Sequence, residues 1–410
     1  LYIIENGKIK PSKMLQDSFS SVLKGNKEFV LIDDQKVIFE EALRIGINAH
    51  LHNEKSVLIV EGGPGTGKSV LAINLLKQFL NRSLNSFYVT KNSAPREVFK
   101  AKLKIDKMSG LNNLFKGSGS FYDCEPNSFD VLIVDEAHRL NKKSGLFSNL
   151  GENQIKEIIN SSKFSIFFID ENQRVTLKDN GSIDEIKKYA RYYNAGIHKM
   201  ELKSQFRCDG SDGYLAWLDN VLEIRGTANF DLDSKYDFKV FDDPNELRKA
   251  IEKKNRINNK SRLVAGYCWN WISEGKNKSD VYDITIPEYN FGMSWNLGNS
   301  STWAIDKESV NEIGCIHTCQ GLEFDYVGVI IGDDLRYEND HIVTDYTKRA
   351  KTDQSIKGIN KIAKEEGIEE AKRITDSIIK NTYKTLMTRG MKGCYVYCID
   401  KKLSNYLKNR

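Results

Sequence analysis

The sequence predicts an α/β chain built on two successive parallel sheets, and three observations carry that prediction. Short apolar runs recur with helical stretches between them, a glycine-rich turn joins the first run to an apolar helix, and a polar, turn-rich stretch near position 230 separates two similar halves. Runs of four or five apolar residues are too short for buried helices and suit strands covered on both faces by crossover helices. A chain of 410 residues has room for two or three ordinary units of this kind.

Residues 1–29 read as an entry segment, with Pro11, Ser12 and an amphipathic stretch over 14–23. The chain opens on Leu1 rather than methionine, so it is read as processed or as a piece of a longer protein. A helix is expected around Asp34, Gln35 and residues 38–45. From Ser56 strands are expected at 57–60, 87–89, 131–134 and 165–169, which assigns 30–230 to a first lobe. After the polar stretch at 226–233, the alternation over 236–241 predicts a strand. Asp243, Pro244 and Glu246 then supply an N-cap, an N1 proline and an early acid for the next helix. Further strands are expected at 262–268, 313–316, 326–331 and 393–399, so the second lobe covers 231–410. Segments 272–310 and 334–378 carry weak periodicity, apart from a charged helix in the second half of the latter, and no solenoid repeat is visible.

Composition narrows the function classes. Hydrophobic residues make up 40% and charged residues 29%, with no apolar run near the roughly 18 residues of a membrane span and no basic-then-apolar leader. No membrane partner is expected. The 61 lysines and arginines against 56 acids give only +5, so a polyanion must be met by a local patch rather than an overall field. Seven cysteines (Cys124, Cys208, Cys268, Cys315, Cys319, Cys394 and Cys398) are too scattered for a disulfide scaffold and point to the cytoplasm. Cys394 and Cys398 share one strand face about 13 Å apart, too far to share an ion at bonds of about 2.3 Å.

The strongest motif is Gly62-Gly63-Pro64-Gly65-Thr66-Gly67-Lys68-Ser69, between a predicted strand and an apolar helix. Its glycines let backbone N–H groups face phosphate oxygens, Lys68 supplies positive charge at the β and γ phosphates, and Ser69 offers a hydroxyl to Mg²⁺. The partner motif is Asp135-Glu136-Ala137-His138 at the end of the 131–134 strand, the edge where such sheets place ligands. Asp135 is expected to hold Mg²⁺, and Glu136 to orient and deprotonate the attacking water. The cofactors implied are ATP and Mg²⁺.

Further motifs follow in order: Asp170 to Arg174 with Gln173, Gln205-Phe206-Arg207, His317 to Asp325 with Gln320, Gly321 and Glu323, and Thr388-Arg389-Gly390. This series resembles superfamily 1 helicases, and more closely the Schlafen-type (group 3-like) DNA/RNA helicase domain family, including its bacterial members of unassigned function. The stretches 262–271 and 381–393 resemble that family's own signatures, and the likeness runs from about Phe29 to the C-terminus. The resemblance implies two tandem RecA-like P-loop NTPase lobes with an ATP cleft between them. It implies that Gln35 reads the adenine edge, Gln173 senses the γ-phosphate, and Glu323 contacts the ribose or couples nucleotide to nucleic acid. Gln320 and Gly321 would join the nucleotide site, with Arg207 and Arg389 as the catalytic cations and Arg389 the finger from the second lobe. It also implies an effector such as a nuclease ahead of this segment, and a role in nucleic-acid processing or defence against foreign DNA.

For the nucleic-acid side the candidates are Lys91, Arg96 and Lys100 in a basic run that continues through Lys102, Lys104 and Lys107, together with Trp269, Trp271 and His317. Tryptophans can stack bases, although core packing is their commoner fate, and charge runs are often simply solvated faces. The reading is an ATP-dependent helicase or translocase acting on DNA or RNA, most simply single-stranded. Its rivals are a nucleotide-dependent switch ATPase that controls a fused or partner effector, and a nucleic-acid-binding module whose ATPase has decayed.

Overall fold

The computed structural model describes residues 31, 33–105, 109–145, 149–203, 212–230, 232, 236–272, 281–296 and 302–410. The expected entry segment 1–29 and the Gln205-Phe206-Arg207 motif lie outside the described residues, as do Lys107 and the side chains of Lys102 and Lys104.

The first sheet has six strands, all parallel, in the order β3-β2-β4-β5-β1-β6. These are β1 (Ser56–Gly62), β2 (Ser86–Val89), β3 (Phe115–Lys116), β4 (Phe129–Val134), β5 (Ser162–Ile169) and β6 (Gly196–Leu202). Alternation within β1 shows why its run looks uniformly apolar in sequence. Leu58 and Val60 pack under α1 (Asp33–His52) and α2 (Lys68–Asn81), while Val57 and Ile59 pack under α4 (Gln154–Ser161) and α5 (Ile183–Tyr192). All four side chains are fully buried, each stabilising the fold by about 1.5–3 kcal/mol relative to exposure. The helix α3 (Ser93–Ile105) follows β2.

A second parallel sheet follows in the order β11-β8-β12-β15-β7. Its strands are β7 (Asp237–Phe241), β8 (Ser261–Ala265), β11 (Ile313–Gly314), β12 (Phe324–Ile331) and β15 (Gly390–Cys398). One face packs against α6 (Asp212–Val221), α10 (Ile368–Met387) and α11 (Lys401–Lys408). The other packs against α7 (Pro244–Asn258) and the hairpin of β9 (Ile284–Ile286) with β10 (Phe291–Met293). The α7 start forms as its sequence dictates: the Asp243 side chain accepts from the Asn245 N–H and Pro244 stands in the first turn.

Several expectations shift in detail. The 262–268 strand stops at Ala265, and of the 313–316 run only Ile313 and Gly314 are strand, because Ile316–Cys319 winds into a helical turn, α8, whose N-cap is Cys315. The weakly periodic segments carry hairpins that were not expected, β9–β10 and the pair β13 (Leu335–Glu338) with β14 (His341–Thr344). The charged helix is present as α9 (Ile359–Glu365) followed by α10. Helix α6 precedes the polar stretch near 230 yet packs on the second sheet: the Tyr214 hydroxyl donates to the Met387 carbonyl at 3.1 Å, and Asp219 pairs with Lys384 of α10. Among the described residues no helix is long and apolar enough to cross a membrane.

Candidate functional site

The carboxyl ends of β1, β4 and β5 meet at one edge of the first sheet, with β5 lying between the other two. At that edge the loop after β1 turns through Gly65 and Gly67, at φ of 80° and 81°, and delivers the first turn of α2. A side chain would be strained at either position, which is the physical demand behind the glycine spacing. Lys68 folds back over this loop, and its ammonium donates to the carbonyls of Gly62 and Gly63 at 2.5 and 2.7 Å. Thr66 donates to the Gly63 carbonyl at 3.0 Å. Pro64 lies between these glycines in the same loop. Gln35, near the start of α1, spends an amide hydrogen on the Thr66 carbonyl at 3.0 Å, so the residue expected to read a base is fastened to the loop expected to hold phosphates.

Ser69 and Asp135 come together: the serine hydroxyl donates to Asp135 Oδ2 at 2.5 Å. The hydroxyl of Tyr88, on β2, donates to the same oxygen at 2.5 Å. Burial, reinforced by the Asp135 charge, drives the Tyr88 phenol well above its ordinary pKa, so it stays a neutral donor. Tyr88 is missed by sequence reasoning; its only signal is a polar aromatic at the end of a buried strand. A hydroxyl and a carboxylate side by side form the hard oxygen set that suits Mg²⁺, so the residues fit the ion expected of them.

Glu136 takes a left-handed backbone, φ 55° and ψ 46°, which costs a non-glycine residue about 1–2 kcal/mol. Strain of this sort persists where the surroundings over-determine it. Burial pushes the Glu136 carboxyl above the usual range and the Asp135 charge adds to it, opposed by Arg389, Arg139 and Lys68. His138 is fully buried, and burial holds its imidazole well below the ordinary pKa, so it is neutral. Its Nδ1 accepts from the Asp170 N–H at 3.4 Å, which puts the proton on Nε2, 3.7 Å from Glu136 Oε2. Gln173, buried in the turn after β5, donates to Asp170 Oδ2 at 2.6 Å.

The second sheet reaches this edge through the turn after α8. Gly321 stands at φ 81°, and a Cβ there would lie 2.7 Å from Pro95 of α3 and 3.9 Å from Glu136 Oε1. Gln320 is fully buried: its side-chain oxygen accepts from Arg139, and its carbonyl accepts from Asn92 at 2.7 Å. Arg139 also donates to Asp179 at 3.2 Å, and Lys91 donates to the same oxygen at 3.3 Å. Burial alone would raise the Asp179 carboxyl, but the Arg139 and Lys91 charges hold it at about 2. Arg139 and Asn92 make contacts across the sheets that sequence reasoning does not assign, and Asp179 holds Arg139 in place; Arg139 follows the Asp135 motif directly, which is the one available hint.

Arg389, at the entry to β15, is fully buried and donates to the carbonyls of Thr385 and Leu322 at 2.9 and 3.4 Å. It lies near enough to Glu136 to act on that carboxyl's charge. Glu323 is half-buried between Leu322 and β12. Arg207 lies outside the described residues.

Of the basic run expected to meet nucleic acid, the described side chains Lys91, Arg96 and Lys100 all have partners within the chain. Lys91 is held by Asp179 and by Asn141 at 2.7 Å, Arg96 donates to the Thr90 carbonyl at 2.6 Å, and Lys100 pairs with Glu97 at 3.1 Å one helical turn away. Trp271 stacks on Trp295 with ring centroids 5.8 Å apart and donates to the Tyr267 hydroxyl at 2.6 Å, while Trp269 donates to the Thr285 carbonyl at 3.2 Å. Both tryptophans pack on the core around β8, the common fate of such side chains. His317 stands 6.3 Å from the Tyr267 ring, and burial lowers its pKa to about 4, so it is uncharged at neutral pH.

Comparison with known proteins finds an uncharacterized protein of Saccharomyces cerevisiae, YPL245W, 26% identical over 391 residues, a match covering 86% of this chain and 84% of that protein. Among solved structures, Pif1 helicase from Candida albicans is matched at 14% identity and a TM-score of 0.30, covering 56% of this chain and 55% of that one. AMPPCP-bound DnaA from Aquifex aeolicus is matched at 15% identity and a TM-score of 0.26, covering 49% of this chain and 56% of that one. The chain thus spans about half the length of the solved structures it matches. Residues 55–400 match the model of the Schlafen group 3 DNA/RNA helicase domain, and the chain belongs to that family.

Proposed function

We propose that this chain is a nucleic-acid-dependent ATP hydrolase of the helicase type, made of two RecA-like lobes with the nucleotide cleft between the two sheets. The observation that carries the reading is that the bonded pair Ser69–Asp135 and the strained Glu136 lie at one sheet edge with Gln320 and Gly321 of the other half against them. Lys68 would exchange the Gly62 and Gly63 carbonyls for phosphate oxygens, a better partner for an ammonium than a neutral amide. Ser69 and Asp135 would hold Mg²⁺, which neutralises phosphate charge when bound. Glu136, its carboxyl raised toward the working pH by burial, would accept the proton of the attacking water, with His138 Nε2–H beside it to orient it. Arg389 would release the Thr385 carbonyl and turn to the γ-phosphate, so that turnover requires the two halves to close.

Closure on a single strand of DNA or RNA would then couple hydrolysis to strand movement. A switch ATPase that governs an effector is the rival outcome. Gel-shift of labelled single strands with and without a nonhydrolysable ATP analogue separates them: the helicase reading expects strand affinity to change with the analogue, and a chain that binds the analogue but no strand in either state would be a switch.

A further inference from the structure

Lys91, Arg96 and Lys100 have partners within the chain, yet another cationic site stands open. Two loops leave the carboxyl edge of the first sheet side by side, one after the Asp135 motif and one after Gln173. Between them is a surface cavity of about 330 Å³ lined by Asn141, Lys142, Lys143, Leu177, Lys178 and Asn180. The three lysines are exposed, and among the described residues none has a carboxylate within 4.0 Å. Glu152, which feels the Lys143 charge, is already paired with Lys156. Asp179, between Lys178 and Asn180, is turned inward to Arg139 and Lys91.

The rest of the lining is rich in donors. The Asn180 side-chain nitrogen is buried with no hydrogen-bond partner, while its backbone N–H is tied to the Leu140 carbonyl at 2.7 Å. Asn141 Oδ1 accepts from Lys91, which leaves the amide's donor end for anything in the cavity. Three ammonium groups that repel one another, together with amide donors and no carboxylate, call for an anion with several spaced oxygens. A buried donor left unpaired costs about 1–3 kcal/mol, a cost that a ligand oxygen would remove.

We propose that this cavity binds consecutive phosphates of a nucleic-acid strand, with Lys142, Lys143 and Lys178 as the phosphate contacts and Asn141 and Asn180 as the amide donors. The proposal rests on the nucleic-acid reading above and gives the strand a place outside the nucleotide site. The loops that form the cavity also touch the second half, one at Leu177 and Arg174 and the other at Arg139, and of these Arg174 and Arg139 lie outside the lining itself. The Leu177 N–H donates to the Ser355 carbonyl at 2.7 Å, Asn381 donates to the Arg174 carbonyl at 3.1 Å, and Arg139, just before the first wall, bonds Gln320. A strand seated here lies against loops that both halves hold.

The test is a salt titration of strand binding, followed by fluorescence anisotropy of labelled single-stranded DNA and RNA. Wild type is compared with the triple variant Lys142→Gln, Lys143→Gln, Lys178→Gln and with the corresponding triple arginine variant. Each phosphate neutralised on a single strand contributes about 0.7 to the slope of log affinity against log salt, so the glutamine variant should lose about 2 from that slope. The arginine variant should keep it, and ATP-analogue binding should be equal in all three. An unchanged slope and affinity in the glutamine variant, with wild type binding strand, overturns the cavity and leaves the helicase reading standing. Failure of wild type to bind any strand overturns both. Acetylation footprinting separates the two phosphate sources: strand should protect the three lysines, whereas protection by tripolyphosphate alone would assign the cavity to a free polyphosphate and overturn the proposal.

Discussion

The two halves of the candidate site differ in how far they are assembled. On the first sheet the groups hold one another: Lys68 on Gly62 and Gly63, Ser69 and Tyr88 on Asp135, Gln173 on Asp170, and Gln35 on Thr66. On the second sheet Arg389 donates to Thr385 and Leu322 of its own half, while Gln320 bonds Arg139 and Asn92 of the first. Groups bonded to one another on one side need no ligand to hold their geometry, whereas in the proposed cycle a group bonded within its own half would have to be redirected. On the proposed reading the first side is already shaped, and the second is the part that a ligand would recruit.

The largest effects should come from breaking the shaped side. Lys68→Ala and Glu136→Gln should each lower ATP turnover by at least about 10³-fold, measured as steady-state phosphate release, and Glu136→Gln should still bind ATP. Glu136→Gln carries a second signature. A carboxyl raised by burial adds stability only below its ordinary pKa and loses that contribution as pH rises through the folded value, so at neutral pH its charge opposes folding. The glutamine variant should therefore melt no lower than wild type at pH 7 by calorimetry, which separates lost chemistry from lost structure.

Next comes the recruited side. Arg389→Ala should lower turnover about 10³-fold with ATP affinity changed only a few-fold. Because Arg389 favours the charged form of Glu136, its loss should also move the acid limb of the pH–rate profile to higher pH. Full turnover in this variant would show that the second sheet supplies no catalytic charge.

The join between the halves predicts a change in stability. Asp179→Asn leaves Arg139 and Lys91 without their shared counter-charge and should cost about 3–5 kcal/mol, measured by urea denaturation at pH 7. The Asp179 carboxyl is held at about 2, so its contribution is present above the ordinary carboxylate value and lost as pH falls from about 4 toward 2. The gap between variant and wild type should narrow over that interval. Smallest of all, Tyr88→Phe should shift the Mg²⁺ concentration for half-maximal ATP binding by a few-fold, because one of the two donors on Asp135 Oδ2 is lost.

How much of this was legible in the sequence follows from the reach of the forces involved. The strands β1, β4 and β5, buried on both faces, announce themselves as unbroken apolar runs, and the glycine loop is dictated by backbone φ that other residues avoid. β6 was not anticipated because, at the sheet edge, only Leu202 of its residues is buried, and Gly-Ile-His-Lys-Met-Glu-Leu reads as a polar surface. The packing of α6 on the second sheet was equally hidden, since Tyr214 and Trp217 would suit either core and only the partners Met387 and Arg410, far along the chain, decide the matter. Lys91 and Arg96 looked like a strand-binding face because their internal acceptors, Asp179, Asn141 and the Thr90 carbonyl, have no sequence signal that joins them. The open lysines at 142, 143 and 178 were invisible for the converse reason: two loops separated by 34 residues meet only in three dimensions.

The central claim is that the shaped and recruited sides make one site whose turnover depends on nucleic acid. Steady-state ATP hydrolysis by the wild-type chain, with and without saturating single-stranded DNA or RNA, tests it most directly. The account predicts low basal turnover that rises on adding strand. Robust basal turnover that no DNA or RNA stimulates would contradict it.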